Sequence, residues 1–222
     1  MYIIMLGAPG SGKGTIGNII CEHYNLKHFA TGDLFREEIK NKTEIGIEAE
    51  KYISQGKLVP DDVTIKIVTT KLENEHNILL DGFPRTVHQA EELQKYLESK
   101  NEKVTTVINL CAPDEDLVLR TSSRVICSNK NCGASYNTKF MPSKVDGICD
   151  VCGSKLIKRP DDEPNIIRNR IKVYYQETEP LIDFYRKQGV LESVNINIYS
   201  PTTKEDTSKR SIELIDKHLQ ND

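Results

Sequence analysis

Long hydrophobic runs are missing from this sequence of 222 residues, and no stretch approaches the roughly 20 consecutive apolar residues that span a bilayer. Met1 leads directly into a short apolar run with no signal segment, so we expect a cytoplasmic protein without membrane association. A large excess of one charge is also missing, since the formal net charge is −3. The composition therefore offers no general attraction to nucleic acid or acidic membranes. Internal repeats and low-complexity tracts are absent, and the length fits one core with a small inserted module.

Arginine is scarce, because only nine of the 30 basic residues are arginines and the other 21 are lysines. A planar arginine fork grips a phosphate in two places, whereas a lysine ammonium supplies a bare charge. The few arginines are therefore candidates for positions where a phosphate is held by two directed hydrogen bonds as well as by charge.

A phosphate-binding loop is predicted at residues 7–15, GAPGSGKGT, directly after the apolar run Tyr2–Leu6. The glycines let successive backbone N–H groups turn inward, Lys13 adds a mobile cation, and the following helix directs its positive end to the same point. The strict Walker pattern requires a serine or threonine directly after the lysine. Here Gly14 follows Lys13, and the hydroxyl residue comes one position later, at Thr15. That departure affects metal ligation by the hydroxyl and leaves phosphate binding intact. A glycine-rich turn without a ligand is the alternative interpretation.

Strands alternating with helices predict a parallel α/β sheet with ligands at the carboxyl ends of its strands. Strand patterns occupy Tyr2–Leu6, Lys27–Ala30, Ile78–Asp81, 104–110 and 190–198. Helical spacing occurs at 15–24, 61–72, 167–185 with a kink at Pro180, and 212–219. Thr31, Gly32 and Asp33 are cap-type residues, and they predict a further helix that carries Arg36 on its first turn.

Four cysteines with the spacing C-x4-C-x16-C-x2-C predict a zinc site made of Cys127, Cys132, Cys149 and Cys152. A reducing compartment disfavours disulfides, and two facing knuckles give the tetrahedral thiolate set that zinc prefers. A metal-free loop with incidental cysteines is the alternative. Cys21 and Cys111 lie in apolar patterns and are interpreted as buried, inert thiols.

Three motifs together resemble the adenylate kinase family: GAPGSGKGT, TGDLFR from Thr31, and LLDGFPRT from Leu79. The insertion between Arg120 and Arg159 is similar to the zinc-bearing lid of the long form of that family. The resemblance implies a P-loop NTPase-type α/β fold with a five-stranded parallel sheet flanked by helices. It also implies a core (1–29, 61–124, 160–222), a helical segment that binds the nucleoside monophosphate (30–60), and a small zinc-ribbon-like lid (125–159).

The resemblance implies Mg²⁺-dependent transfer of the γ-phosphoryl group of ATP to AMP, giving two ADP, with structural zinc in the lid. The sequence has no obvious apolar outer stripe, so we expect a monomer. The implied catalytic residues are Lys13, Arg85, Arg124, Arg159 and Arg170. The implied ATP contacts are Gly10, Ser11, Gly12, Lys13, Gly14, Thr15, Arg120, Arg124, Ser135, Tyr136 and Ile198. The implied AMP contacts are Thr31, Arg36, Lys57, Leu58, Val59, Gly82, Phe83, Pro84, Arg85, Gln89, Arg159 and Arg170. Asp81 and Asp33 would orient waters on Mg²⁺, and Asp161 and Asp162 would be charge partners in the lid hinge.

The chemistry of the residues agrees with this resemblance. The attacking phosphate oxygen is already anionic, so the protein needs to align and neutralise charge without a side-chain base. Six of the nine arginines fall at implied site positions, while Arg168, Arg186 and Arg210 are interpreted as surface charges. Because water is a competing acceptor, the inserted module is expected to close before transfer.

Other functions stay open at this level. Val125 follows Arg124 where the long forms usually carry a second basic or aromatic residue, so GTP or another triphosphate could be the donor. A kinase for another monophosphate is a near alternative. A nucleotide-regulated switch is a distant one, because residues 125–159 hold six basic and two acidic residues that could touch a phosphate backbone. Aromatic residues for base stacking are limited there to Tyr136 and Phe140, and no NKxD guanine-reading sequence is present.

Overall fold

The apolar run at the start of the chain forms the central strand of a five-stranded parallel sheet. The computed structural model describes residues 1–129, 132–197, 199–200 and 202–220. The main-sheet strands are β1 (Tyr2–Leu6), β2 (Lys27–Ala30), β3 (Ile78–Asp81), β4 (Thr106–Cys111) and, later in the chain, β8 (Leu191–Asn195). Their spatial order is β2-β3-β1-β4-β8. The chain leaves β1 toward β2 and β3 on one side and reaches β4 on the other, which opens a crevice at the carboxyl end of β1.

Helices connect the strands and cover both faces of the sheet. In chain order they are α1 (Lys13–Tyr24), α2 (Thr31–Lys40), α3 (Glu44–Ile53), α4 (Asp61–Leu72), α5 (Val87–Ser99), α6 (Asp114–Ser122), α7 (Pro164–Val173), α8 (Pro180–Lys187) and α9 (Thr203–Leu219). The stretch 61–72 is rich in strand-favouring residues but is helical as predicted, since Pro60 and Asp61 supply a helix start.

Alternate residues of β1 enter two different cores. Tyr2, Ile4 and Leu6 face a core that includes α4, α5 and α8, while Ile3 and Met5 face a second core that includes α1 and α9. All five side chains are buried, because side chains along a strand point alternately to its two faces. The predicted parallel sheet with flanking helices is confirmed.

The predicted kink near Pro180 takes the form of a π-helical turn. Residues Tyr174–Thr178 adopt this geometry between α7 and α8, and Glu179 N donates to Tyr174 O at 2.9 Å. Proline lacks an N–H and its ring crowds the preceding turn, so an α-helical hydrogen-bond ladder cannot continue through this position. The turn places Tyr174 and Thr178 on the wall of the cavity described below.

The inserted module contains a small antiparallel sheet. Strand β5 (Arg124–Cys127) pairs with β6 (Ser135–Asn137) on one side and β7 (Leu156–Ile157) on the other. This sheet is separate from the five-stranded parallel sheet. Among the described residues, no helix combines the length and apolar composition needed to cross a lipid bilayer.

Some predicted details were wrong. Helix α2 begins at Thr31 itself, after Ala30, and the Thr31 hydroxyl donates to Gly82 O at 2.7 Å instead of capping the helix. Arg36 is therefore on the second turn. The fourth strand of the main sheet begins at Thr106, since Val104 precedes the ladder, and the last strand ends at Asn195. Ile198 lies outside the described residues.

Candidate active site

The phosphate loop joins β1 to α1 through glycines in the left-handed backbone region. Gly7, Gly10 and Gly12 have φ values of 137°, 89° and 92°. A Cβ atom on Gly10 would lie 2.3 Å from Thr121 Oγ1 and 2.8 Å from Leu117 O, so a side chain cannot fit there. Lys13 opens α1, and its Nζ donates to Gly7 O at 2.7 Å and Ala8 O at 3.1 Å. The loop thus wraps its cation at the positive end of a helix.

Strand register places Asp81 beside this loop. Asp81 ends β3 and is paired with Met5 of β1, one residue before the strand ends at Leu6. His28 Nε2 lies 3.7 Å from Asp81 Oδ2, at ion-pair rather than hydrogen-bond distance. Burial opposes ionisation, but His28, Lys13 and Arg85 together hold the pKa of Asp81 below its ordinary value. A buried, ionised carboxylate therefore faces the Lys13 amine.

A cluster of arginines and carboxylates lies across the mouth of the cleft. Arg124 forms two bonds to Asp162, from Nε to Oδ2 at 2.8 Å and from Nη2 to Oδ1 at 2.5 Å. Arg170 Nη1 donates to Asp161 Oδ2 at 2.8 Å and lies 3.4 Å from Asp162 Oδ1. Asp162 and Asp161 are buried, so these pairs are shielded from water. Their predicted role as charge partners is confirmed by these contacts.

Two further ion pairs connect α2 to the segment that follows the small sheet. Arg159 Nη2 lies 3.5 Å from Asp33 Oδ1, and Arg36 Nη1 lies 3.7 Å from Asp161 Oδ2. Arg36 also holds Asp33 at 2.6 Å. Asp33 is therefore engaged by arginines in this structure, whereas Asp81 faces Lys13.

The cations of the site outnumber the carboxylates. Six cations, Lys13, Arg36, Arg85, Arg124, Arg159 and Arg170, interact with four carboxylates, Asp33, Asp81, Asp161 and Asp162, and Arg120 adds a seventh cation beside Arg124. Burial, with help from neighbouring arginines, lowers the pKa of Lys13 to about 8 and the pKa values of Arg85 and Arg159 to about 10. Such shifts mean that the protein alone disfavours so much positive charge in the cleft. A polyanion would relieve this repulsion.

A cavity beside the cluster gathers most of the predicted acceptor residues. Those among its lining residues are Thr31, Arg36, Lys57, Leu58, Val59, Gly82, Pro84, Arg85, Gln89 and Arg170, and Lys13 of the phosphate loop also lines it. Phe83 is buried in the main core instead. Arg85 is fixed by its Nε, which donates to Gly82 O at 2.8 Å, and by its backbone N–H, which donates to Gln89 Oε1 at 2.8 Å.

The predicted donor residues are more dispersed. The Arg120 guanidinium lies over Gly12, where a Cβ would be 3.4 Å from Nη2. Ser135 and Tyr136 lie on β6, and the Tyr136 side chain is turned to the cysteines, with its hydroxyl oxygen 3.5 Å from Cys149 Sγ and accepting from Asp150 N at 2.8 Å. Gly10, Ser11, Gly14 and Thr15 belong to the loop and the first turn of α1.

The four predicted metal ligands converge. The Sγ atoms of Cys127, Cys132, Cys149 and Cys152 all lie within 4.8 Å of one another, with the two shortest separations 3.4 and 3.6 Å. Sulfurs around a tetrahedral zinc at about 2.3 Å are separated by about 3.8 Å. Gly133 and Gly153 follow the second cysteine of each pair and have φ values of 63° and 73°, as tight knuckle turns require. The cluster could hold a metal such as zinc.

Sequence reasoning missed several residues of the cavity. The cavity is also lined by Phe35, Thr64, Tyr174 and Thr178. Asp61 lies outside the lining and accepts a hydrogen bond from the Gln89 amide. Asp61 was interpreted only as a helix start, and its partner lies 28 residues away. Pro180, which follows the π-helical turn Tyr174–Thr178, was the signal that the sequence offered in that segment.

A parallel sheet with a glycine-rich phosphate loop after its central strand defines a P-loop nucleotide-binding protein. A family model described as "Adenylate kinase" matches residues 5–190. The adenylate kinase of Methanothrix thermoacetophila is 48% identical over 198 residues, covering 88% of this chain and 91% of that protein. The adenylate kinase of Lachnospira eligens is 46% identical over 198 residues, covering 88% and 92%. That of Caldicellulosiruptor saccharolyticus is 43% identical over 209 residues, covering 92% and 96%.

The chain belongs to the adenylate kinase family, and it is therefore a phosphotransferase enzyme. The resemblance drawn from the three motifs is confirmed.

Proposed function

We propose that this enzyme transfers the terminal phosphoryl group of ATP reversibly to AMP, giving two ADP. The observation that carries the proposal is the excess of partly buried cations around a cleft whose cavity is lined by Lys13, Arg85 and Gln89. Two polyanionic nucleotides would supply the missing negative charge. The relatives named above are adenylate kinases over nearly their full length, which supports the same reaction.

The residues of the chain act by position and charge. Lys13 and the loop N–H groups would hold the donor phosphates, while Arg36 and Arg85 grip the acceptor phosphate. Arg124, Arg159 and Arg170 would surround the group in transfer. The acceptor oxygen is already anionic, so alignment and neutralisation suffice and no general base is needed.

The carboxylates near the phosphate loop fit Mg²⁺ that is bound together with the nucleotide. Mg²⁺ takes hard oxygen ligands and keeps several waters, and the ionised Asp81 carboxylate beside Lys13 can orient such waters. Asp33 is less suited because Arg36 and Arg159 already engage it. When bound, the metal would neutralise charge on the phosphates.

The four thiolates fit structural Zn²⁺. Four sulfur ligands fill a tetrahedral site and leave no open position for substrate, so the metal would fix the fold of the small sheet. The Tyr136 hydroxyl and Asp150 N–H beside Cys149 support the ligand geometry.

We divide the chain into a core (1–29, 61–124, 160–222), a monophosphate-binding segment (30–60) and a lid (125–159). The small antiparallel sheet of 124–157, separate from the main sheet, supports this division. The ion pair from Arg159 to Asp33 links the two inserted parts, and the pair from Arg36 to Asp161 links the monophosphate-binding segment to the core. A monomeric state and a cytoplasmic location stay predictions from the sequence, and light scattering with size exclusion tests the first.

A crossed substrate panel tests the proposed reaction. Purified enzyme with Mg²⁺ is assayed for diphosphate formation with ATP, GTP or CTP as donor and AMP, GMP, CMP or UMP as acceptor. We expect the ATP and AMP pair to give the highest kcat/KM. A higher rate with another acceptor would overturn the AMP assignment, and equal rates with GTP would overturn the donor assignment.

A further inference from the structure

The side-chain amide of Gln89 is held on both sides by the protein. Gln89 Nε2 donates to Asp61 Oδ1 at 2.7 Å, and Gln89 Oε1 accepts from Arg85 N at 2.8 Å. The side chain is only 1% exposed, so water does not compete for these bonds. Gln89 also lines the cavity assigned above to the acceptor nucleotide.

Hydrogen-bond chemistry fixes which way this amide points. An ionised carboxylate can only accept hydrogen bonds, so Asp61 must face the NH₂ group of Gln89. A backbone N–H can only donate, so Arg85 N must face the Gln89 carbonyl oxygen. Turning the amide by 180° would set Oε1 against the Asp61 carboxylate and NH₂ against the Arg85 N–H. Two buried bonds would become two repulsive contacts.

Asp61 is itself held in place. Its second oxygen, Oδ2, accepts from Thr86 Oγ1 at 2.6 Å, and Thr86 Oγ1 in turn accepts from Gln89 N at 3.1 Å. Asp61 is also the first residue of α4, where the helix end favours a negative charge. The carboxylate thus connects the starts of α4 and α5 and cannot move away from the Gln89 amide without breaking both bonds.

The fixed amide keeps one N–H and one oxygen lone pair for a ligand, because a glutamine amide has two N–H donors and two acceptor sites. The edge of adenine offers the matching pair, an N6 amino donor and an N1 acceptor. Guanine and hypoxanthine offer the reverse, an O6 acceptor and an N1–H donor. A 6-oxopurine would therefore require the amide orientation that Asp61 and Arg85 N exclude.

We propose that Asp61 is a specificity-determining positioning residue, which locks the Gln89 amide in the orientation that reads adenine and rejects 6-oxopurines. This inference rests on the proposed function, because it assigns the acceptor base to the cavity lined by Gln89. Asp61 does not line that cavity, and it acts through Gln89.

The test compares AMP with inosine monophosphate, IMP, as acceptors for ATP. IMP has the 6-oxo group and N1–H of guanine without its 2-amino group, so the comparison isolates the edge that Gln89 reads. Asp61→Asn is nearly isosteric and can either donate or accept, so it removes one of the two contacts that fix the orientation of Gln89 and leaves the Arg85 N–H contact in place. The matched control is Asp62→Asn, which removes the same charge at the next, solvent-exposed position of α4.

For Asp61→Asn we expect kcat/KM for AMP to fall about tenfold and the AMP-to-IMP preference to fall at least about tenfold, since one charged, buried hydrogen bond is lost. The KM for ATP should stay within about twofold, and Asp62→Asn should match the wild type in all three values. Thermal unfolding checks each variant, and Asp61→Ser replaces Asp61→Asn if the latter does not fold, because serine suits a helix start and also removes the carboxylate that holds the Gln89 NH₂ group.

A merely structural Asp61 would lower kcat/KM for AMP and IMP by the same factor, and an unchanged preference would overturn the inference. A wild-type enzyme that phosphorylates neither nucleotide would instead overturn the proposed function. The two failures are distinguishable because the second is seen without any substitution.

Discussion

Lys13 and the arginines around it lie partly buried and close together, so each cation raises the electrostatic free energy of its neighbours. The pKa of Lys13 falls to about 8 because burial and the charges of Arg85, Arg170 and Arg124 outweigh the attraction of Asp81. At the residue scale the site is therefore preorganised for anions. This arrangement lowers the stability of the protein alone and favours the binding of polyphosphates.

Nucleotide affinity should depend on pH through Lys13. The amine is charged below its pKa of about 8 and neutral above it, and only the charged form attracts phosphate. We expect ATP affinity, measured by titration calorimetry without AMP, to weaken as pH rises from 7 to 9. Lys13→Met should bind ATP at least about tenfold more weakly, since a charged hydrogen bond is lost, and its affinity should not change over this range. Equal pH dependence in both proteins would contradict this origin.

The buried pair of Arg124 and Asp162 should contribute strongly to stability. Asp162 is almost fully buried and Arg124 mostly so, with side-chain exposures of 2% and 21%. Asp162→Asn leaves the guanidinium without its carboxylate, and the free energy of unfolding in urea should fall by about 3 kcal/mol. Addition of ATP should recover part of the loss, because phosphate replaces the missing charge.

Asp183→Asn is the control for that change. Asp183 pairs with Arg186 on the surface of α8, where both side chains are more than half exposed. Removal of an exposed pair should change the free energy of unfolding by no more than about 0.5 kcal/mol. A similar loss of unfolding free energy in both variants would show that the change in net charge, and not burial of the pair, decides stability.

The small sheet β5-β6-β7 is too short to build a sizeable core of its own. Its buried cluster consists of Cys127, Tyr136 and Cys149, with a few partly buried neighbours. Small modules of this kind depend on cross-links or metals for stability. At the element scale the cysteine cluster is therefore expected to hold the sheet together.

Metal removal should affect stability more than catalysis. We expect a strong chelator to lower the melting temperature of the wild type by several degrees, while activity at moderate temperature falls less. Cys149→Ser should show the lower melting temperature without chelator. Cys111→Ser is the control, because Cys111 lies on β4 outside the cluster, and its response to chelator should equal that of the wild type. Equal activity loss without a change in melting would contradict a structural role.

Single ion pairs link the 30–60 segment to the lid and to the core residues directly after the lid. Arg159 contacts Asp33, and Arg36 contacts Asp161, at 3.5 and 3.7 Å. Partly exposed pairs of this length contribute little to stability. At the scale of the whole molecule, closure of the cleft should therefore be decided by the nucleotides that bridge it.

Hydrogen exchange tests this expectation. Saturation with ATP and AMP, or with a linked bisubstrate analogue, should slow amide exchange in 30–60 and 125–159 much more than in β1, β3 and β4, whose amides are already protected in the sheet. Mass spectrometry of peptides with and without ligand gives the comparison. Protection confined to the phosphate loop would contradict the proposed division into core, monophosphate-binding segment and lid.

The sequence by itself determined the main strands, the phosphate loop and the set of four cysteines. These features depend on local properties: apolar runs buried on both faces, glycine conformation, and ligand spacing. The edges of elements were less well predicted, as at Thr31, whose hydroxyl bonds to Gly82 instead of capping α2. Local patterns cannot reveal which of two partners a hydroxyl will meet.

Only the tertiary structure decided the pairing of distant side chains. Gln89 meets Asp61 across 28 residues, Arg124 meets Asp162 across 38, and Arg159 meets Asp33 across 126. Tyr136 likewise turned out to support the cysteine cluster. Strand order and helix packing set these contacts, because they bring together the carboxyl ends of parallel strands and the helix starts that follow them. The residue types can be read from the sequence. The orientation of the Gln89 amide, which Asp61 holds, can be seen only in the folded structure.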